Sequence, residues 1–286
     1  MARLSAETLR LLPRKRVSRA LGSAAAQRLP APLLSAAVHG FARALDVDLG
    51  EAEVPEGGFK SFDDFFTRRL RPGARPADPD PEALLSPADG VLEDAGPVDA
   101  AGGLVIKGRP YTVRALLGES DADRYAGGVY ALIYLSPRDY HRVHAPVSGP
   151  VVERRYLEGT LYPVNDIGVR HVPRLFARNE RVAVVQRSPS FGDVTTVLVG
   201  AIGVGSIGLA FEAGRTNAGE QGPSFSPAVQ RYGDAGPELE RAGELGVFHL
   251  GSTVIVFAAP AASLRLARVS GSPVRMGQAL ARRGQP

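Results

Sequence analysis

Residues 194–211 carry no charge, and their side chains are mostly Val, Leu, Ile and Thr, interrupted by Gly200, Gly203, Gly205 and Gly208. An uncharged run of this length suggests a membrane helix at first sight. β-Branched residues lose rotamer freedom in a helix and glycines weaken it, whereas both suit buried strands. The stretch therefore predicts core sheet and commits the chain to a β-rich interior. Further apolar runs around Val91 and at 104–106, 129–135, 151–156, 182–186, 247–250 and 253–257 extend that interior. Gly203-Val-Gly205-Ser-Ile-Gly208 formally matches a dinucleotide-binding fingerprint. No helix pattern follows it and no acid lies about 20 residues on, so these glycines read as close strand packing.

Two turns echo each other. Pro87-Ala-Asp89-Gly90-Val and Pro146-Val-Ser148-Gly149-Pro-Val each place Pro-x-(Asp/Ser)-Gly before a strand. The expected fold class is α+β: a mostly β core with lipoyl-domain-like hairpins, plus N-terminal amphipathic helices. In residues 1–45, eight arginines and lysines face one acid, Glu7, although the whole chain is only +4, so everything beyond the arm is net acidic. Apolar residues recur in the arm at near-helical spacing, and Pro13, Pro30 and Pro32 cut it into short helices. Such helices can lie in a membrane interface or pack as a cap on the main domain. Interleaved aromatics are missing, which argues against nucleic acid. Ser61-Phe-Asp-Asp64 has the form of a capping box, predicting a helix over 62–70 with Phe62, Phe65, Phe66 and Leu70 on one face. A second short helix is expected over 112–117, capped by Thr112. The chain divides into a helical, membrane-associating region, 1–71, and a β-rich domain, 72–286, entered through a Pro-rich connector.

The chemistry centres on Leu250-Gly251-Ser252-Thr253. Gly251 has no side chain to keep the Ser252 Oγ from its carbonyl, and it tolerates the backbone angles that such an attack needs. Self-cleavage there requires a base, a group to orient it and donors for the oxyanion. Cysteine is absent, which excludes disulfides and thiolate chemistry, and five histidines are available. His141 and His144 sit in a polar, loop-like segment between two strands, where catalytic groups collect, while His39, His171 and His249 lie apart from other catalytic residue types. The HxxH spacing lacks a third metal ligand, so no metal is expected. Asp89 is either an orienting carboxylate or a plain turn aspartate. A Ser-His-Asp hydrolase that keeps its chain intact uses the same residues, although no serine occupies a G-x-S-x-G elbow. A non-catalytic lipoyl-like carrier lacks a lysine at either turn tip.

Several motifs in order resemble the bacterial phosphatidylserine decarboxylases of the longer form: Ser61-Phe-Asp-Asp-Phe-Phe-Thr-Arg with Arg75-Pro, Ser86-Pro-Ala-Asp-Gly90, Lys107-Gly, Tyr134-Leu-Ser-Pro-Arg-Asp-Tyr-His-Arg-Val-His144, Leu175-Phe-Ala-Arg-Asn-Glu-Arg-Val182, Val199-Gly-Ala with Val204-Gly-Ser-Ile207, and Leu250-Gly-Ser-Thr253. The resemblance implies that Asp89, His144 and Ser252 form a charge relay for self-processing between Gly251 and Ser252. The products are a large β chain, 1–251, and a small α chain, 252–286, that stay together as a heterodimer, with further oligomerisation left open. Ser252 becomes a covalent pyruvoyl group, with no metal and no pyridoxal phosphate, and that group is an electron sink for converting phosphatidylserine to phosphatidylethanolamine and CO2. His141 is the candidate proton donor to the decarboxylated carbon. Arg138, Arg142, Arg178 and Arg181 are candidate clamps for the anionic headgroup. The expected location is the cytoplasmic face of the cell membrane, as a peripheral protein.

Overall fold

A computed structural model describes residues 13–118, 123–203, 206–217, 225–249, 252–260 and 264–284. The strands are β1 (Ala52–Glu53), β2 (Arg69–Leu70), β3 (Ala83–Leu85), β4 (Gly90–Pro97), β5 (Gly103–Ile106), β6 (Arg109–Thr112), β7 (Val129–Leu135), β8 (Arg142–His144), β9 (Gly149–Leu157) and β10 (Arg181–Ser188). They continue as β11 (Gly192–Val199), β12 (Ser206–Leu209), β13 (Val229–Arg231), β14 (Glu238–Leu239), β15 (Glu244–His249), β16 (Ser252–Ala258), β17 (Leu264–Leu266), β18 (Ser272–Val274) and β19 (Ala279–Arg283). The protein is α+β with a mostly β core.

The principal sheet is antiparallel, in the order β13-β9-β10-β11-β16-β7-β4-β18, with β14 also on β9. Smaller sheets, β12-β15-β8 and β17-β19-β3, flank it. Strand β16 is central: it pairs with β11 from Thr253 to Ala258 and with β7 from Ser252 to Ala258. Its Val254, Ile255, Val256 and Phe257 are at most 1% exposed. Burying each such side chain contributes about 1.5–3 kcal/mol. The uncharged stretch forms β11 and β12, and where a nucleotide fold would open a helix the chain runs as strand 206–209.

The two echoed turns are alike in conformation. Gly90 (φ 151°) and Gly149 (φ 142°) each start a strand of the principal sheet, and a Cβ there would lie 2.2 Å from the Tyr134 carbonyl oxygen or 2.1 Å from that of Arg187. Each glycine lets its turn press against a neighbouring strand.

The helices follow their punctuation. Pro13 precedes the helix Arg14–Ala25, and Pro32 lies in the first turn of Ala31–Leu45. The first part of the arm, 1–12, falls outside the described residues. The arm packs on the rest of the chain: Arg14 lies 4.0 Å over the Tyr162 ring, Lys15 pairs with Glu158 at 3.0 Å, and Leu34 and Val38 are buried with Phe65. Ser61 caps its helix through the Asp64 N–H at 3.1 Å, and Thr112 caps Val113–Leu117 through Ala115 N–H at 3.1 Å. The Ser61-capped helix ends at Phe66 instead of reaching residue 70, because Arg69 and Leu70 leave it to pair with β1. The segment expected as loop around His144 is also shorter, since 142–144 forms β8 on the edge of β15.

In a Ser252→Ala background, which keeps the chain whole, Gly90→Ala and Gly149→Ala are each expected to cost about 3 kcal/mol or more. Gly73→Ala, with φ 82° and open space around its Cβ position, should cost about 1 kcal/mol. Urea unfolding midpoints compare the three, and equal losses would remove the close-approach argument.

Candidate active site

Two ladders bring the sequence motifs together. Strand β7 ends at Leu135 and runs into the loop carrying Tyr140 and His141, which returns as β8 on β15. Strand β15 leads toward Ser252, which pairs back with Leu135. His144 N–H donates to the Pro87 carbonyl at 2.8 Å, fastening β8 to the Asp89 turn. The loop, the aspartate turn and the head of β16 thus meet at one end of the principal sheet.

Both histidines are held in one tautomer. The His144 Nδ1 lies 2.8 Å from the Ala242 carbonyl oxygen, which only accepts, so Nδ1 carries the proton and Nε2 keeps its lone pair. Tyr140 donates its hydroxyl to that Nε2 at 3.1 Å. Burial pushes the Tyr140 phenol up to about 12, so it stays a donor. His141 repeats the pattern: Nδ1–H donates to the Asp139 carbonyl at 2.8 Å, while Nε2 is buried with no hydrogen-bond partner among the described residues. Phe66 packs on its ring at 4.2 Å between centroids, and the ring is fully buried. Burial lowers the pKa of both imidazoles, that of His141 to about 3. Each is a neutral base at neutral pH.

Asp89 is placed differently from the orienting role expected for it. Its carboxylate faces Arg75, with Nε at 3.0 and 2.9 Å and Nη2 at 2.6 Å, and accepts the Met276 N–H at 2.8 Å. Arg75 also donates to Glu51 at 2.8 Å. The group that orients His144 is the Ala242 carbonyl, and the Asp89 charge acts on His144 through space. Arg75 had stood in the sequence only as part of a motif. An arginine followed by proline, 14 residues before a turn aspartate, gives no pairing signal until the fold closes it.

Ser252 opens β16 at 1% exposure, and its Oγ has no hydrogen-bond partner among the described residues. A buried hydroxyl without a partner costs about 1–3 kcal/mol; Thr196, Ser206 and Thr253 share that condition, and Ser252 differs from them in following the expected cut, at the end of the sheet where the histidine loop and the aspartate turn meet. Gly251, on the other side of the expected cut, lies outside the described residues.

A cavity of about 490 Å³ adjoins this site, lined in part by Asp89, Ser136, Tyr140, Arg68, Arg75 and Arg138. Of the four arginines expected as clamps, only Arg138 lines it. Arg142 pairs with Glu244 and donates Nε to the Thr67 carbonyl at 2.8 Å. Arg178 lies over the Tyr162 ring at 5.1 Å. Arg181 is buried and spends its donors on the carbonyls of Leu116, Ala177, Asn179 and Ala115. A guanidinium so engaged fastens a strand end to neighbouring loops, and a clamp needs free donors. His249, to which no role attached, donates its Nδ1–H to the Asp63 carboxylate at 2.9 Å and ties β15 to the helix Phe62–Phe66. No cluster of three potential metal ligands occurs among the described residues.

Because His141 binds its proton less well folded than unfolded, stability should fall as pH drops from about 6.5 toward 3, when the unfolded chain takes up the proton and the folded one does not. The slope from this residue approaches about 1.4 kcal/mol per pH unit. In the Ser252→Ala background, His141→Gln should flatten the stability profile between pH 5 and 6.5 by that amount. Parallel profiles from urea titrations would contradict the buried neutral ring.

Known proteins resemble this sequence over nearly its whole length. The sequence model of the phosphatidylserine decarboxylase family matches residues 62–282. The chain is 38% identical over 276 residues to the phosphatidylserine decarboxylase proenzyme of Brevibacillus brevis, covering 94% of each chain. It is 40% identical over 282 residues to that of Anaeromyxobacter sp. (strain K), covering 97% of this chain and 98% of the other. With the proenzyme of Myxococcus xanthus the identity is 41% over 253 residues, 88% of each chain. The matched span takes in the aspartate turn, the histidine segment and the head of β16, and the chain belongs to the phosphatidylserine decarboxylase family.

Proposed function

We propose that this chain is a proenzyme that cuts itself between Gly251 and Ser252 and then decarboxylates phosphatidylserine to phosphatidylethanolamine and CO2. The observation that carries the reading is a buried, unpartnered Ser252 Oγ at the head of a central strand, at the end of the sheet where two neutral imidazoles present lone pairs at Nε2. The names of the relatives, each a proenzyme, support processing.

Self-cleavage begins with transfer of the Ser252 Oγ proton to His144 Nε2, which requires Tyr140 to give up its hydrogen bond there. The alkoxide attacks the Gly251 carbonyl carbon, and the acyl group moves from the residue-252 nitrogen to Oγ. Loss of the residue-252 Cα proton then expels Gly251 as a carboxylate and leaves dehydroalanine, which tautomerises and exchanges its nitrogen for oxygen with water, releasing ammonia. Asp89 stabilises the imidazolium of His144 through space while Arg75 holds the carboxylate in place.

The residues present suit a pyruvoyl group at position 252: the position is buried, has a lone-pair base and needs none of the chain's three lysines. That group supplies the electron sink for the departing CO2. His141 Nε2 is the position from which a proton would reach the substrate carbon, and since His141 is neutral in the uncleaved chain, the proton it passes on would come from solvent water. The two fragments remain a heterodimer because β16 is paired on both sides.

The substrate is held in a bilayer, and we place the protein peripherally on the cytoplasmic face of the cell membrane, with the exposed leucines of the arm as support for the membrane contact alone. Leu21, Leu29, Leu33 and Leu45 are 36–57% exposed on or beside its helices, while no helix among the described residues is long and apolar enough to cross a membrane. Those leucines can enter the interface while the inner face of the arm stays on the protein.

Purified wild-type protein should give two bands on a denaturing gel and release CO2 from phosphatidylserine. Ser252→Ala should give one band of 30.2 kDa and no CO2. A single wild-type band with full activity would sink the proposal in favour of an intact-chain enzyme. Leu21→Ser with Leu33→Ser should weaken binding to anionic vesicles at least tenfold, since each inserted leucine contributes about 1.5–3 kcal/mol. Undiminished sedimentation with vesicles would move the contact surface elsewhere.

A further inference from the structure

Arg68 follows the helix Phe62–Phe66 and is only 6% exposed. Buried guanidinium groups are costly unless their donors are met. Arg75 meets Asp89, Glu51 and the Ala74 carbonyl, and Arg154 meets Glu212 and the carbonyls of Pro227 and Ala228. Arg68 is different. Its Nε has no hydrogen-bond partner among the described residues, and its Nη2 has only the Arg138 carbonyl at 3.4 Å. The guanidinium rests 5.1 Å over the Phe65 ring and lines the cavity beside Asp89, Ser136 and Tyr140.

The acids of that cavity are already committed. Asp89 is held by Arg75 and the Met276 N–H, Glu51 by Arg75 at 2.8 Å and Arg275 at 3.4 Å, and Asp139 by the Ser136 N–H and hydroxyl at 2.7 Å each, with the Nε of the half-exposed Arg138 farther off at 3.9 Å. Asp48 caps Gly50, and Asp46 is exposed to solvent. Among the described residues Arg68 is therefore a buried cation with no carboxylate in ion-pair contact, facing a space lined in part by Tyr134 of β7, the strand that pairs with β16.

We propose that Arg68, with Arg138 beside it, receives the phosphodiester of the substrate headgroup. This rests on the decarboxylase reading and names the side chain that its anionic substrate meets. The headgroup offers a second anion, the carboxylate, but that group leaves as neutral CO2. A cation clamped on it would stabilise the ground state more than the transition state and slow the reaction. The phosphodiester keeps its charge throughout, so binding it costs nothing in the chemical step.

The cavity is present in the uncleaved chain, so binding can be measured without turnover. Calorimetry on full-length Ser252→Ala protein would use sn-glycero-3-phosphoethanolamine, which has the phosphodiester and no carboxylate, and free serine, which has the reverse. Arg68→Gln should weaken glycerophosphoethanolamine at least tenfold, Arg68→Lys should restore part of that loss, and Arg138→Gln should weaken it about threefold. Serine affinity should not change. The proposal is overturned if the parent protein does not bind glycerophosphoethanolamine, if Arg68→Gln binds it normally, or if serine affinity falls instead. Should Arg68→Gln fail to fold, judged by thermal unfolding, Arg68→Lys and Arg138→Gln decide, and unchanged affinity in both overturns it. Failure of wild-type protein to release CO2 would refute the enzymatic reading separately, since these titrations involve no decarboxylation.

Discussion

The structure depends on the two-sided pairing of β16. A strand with ladders on both edges has its backbone groups satisfied and its side chains in the core, so its first residue is fixed by six neighbours that follow it. Ser252 inherits that rigidity. Its register against Leu135 places it next to the loop that carries Tyr140 and His141, and the path from β8 to β15 brings His144 to the same end. A reactive hydroxyl on a loop would sample many positions; one at the head of a buried central strand samples few.

Electrostatics at this end of the sheet follow from two carbonyl oxygens. Ala242 and Asp139 each accept an Nδ1–H hydrogen bond, so that two buried imidazoles present Nε2 lone pairs. Burial does the rest by disfavouring the charged forms. The carboxylate that chemistry would place against a histidine is instead neutralised by Arg75, which keeps a buried negative charge paired while leaving its field in the site.

Much of the architecture was legible because its signals are local. Apolar runs rich in β-branched residues located β7, β9, β10 and β16 to within about two residues, while the run expected as strand over 194–204 ends as β11 at Val199; Ser61 and Thr112 announced their helices through hydroxyls that cap backbone N–H groups. Short edge strands such as β8, β13 and β18 were not legible, since three residues carry no periodicity and exist only because a partner strand is there. The same limit applies to the site. Ser252, His141 and His144 stood out by residue type and company, whereas the Arg75–Asp89 pair, the Tyr140 bond to His144 and the buried, unpartnered Nε of Arg68 are properties of distant segments meeting. Arg181 looked like a clamp in sequence and proved to be a fastener, because nothing in a one-dimensional pattern tells a satisfied guanidinium from an unsatisfied one.

The Met276 N–H that holds Asp89 comes from a stretch beyond the Gly251–Ser252 bond, while Asp89 itself lies before it. A polypeptide severed at that bond therefore has its acidic group on one piece and part of that group's cradle on the other. Strands β18 and β19 repeat the arrangement by docking on β4 and β3. On the proposed cleavage the smaller piece would be a scaffold as well as the carrier of residue 252, and separating the pieces would dismantle the anion's support together with the sheet.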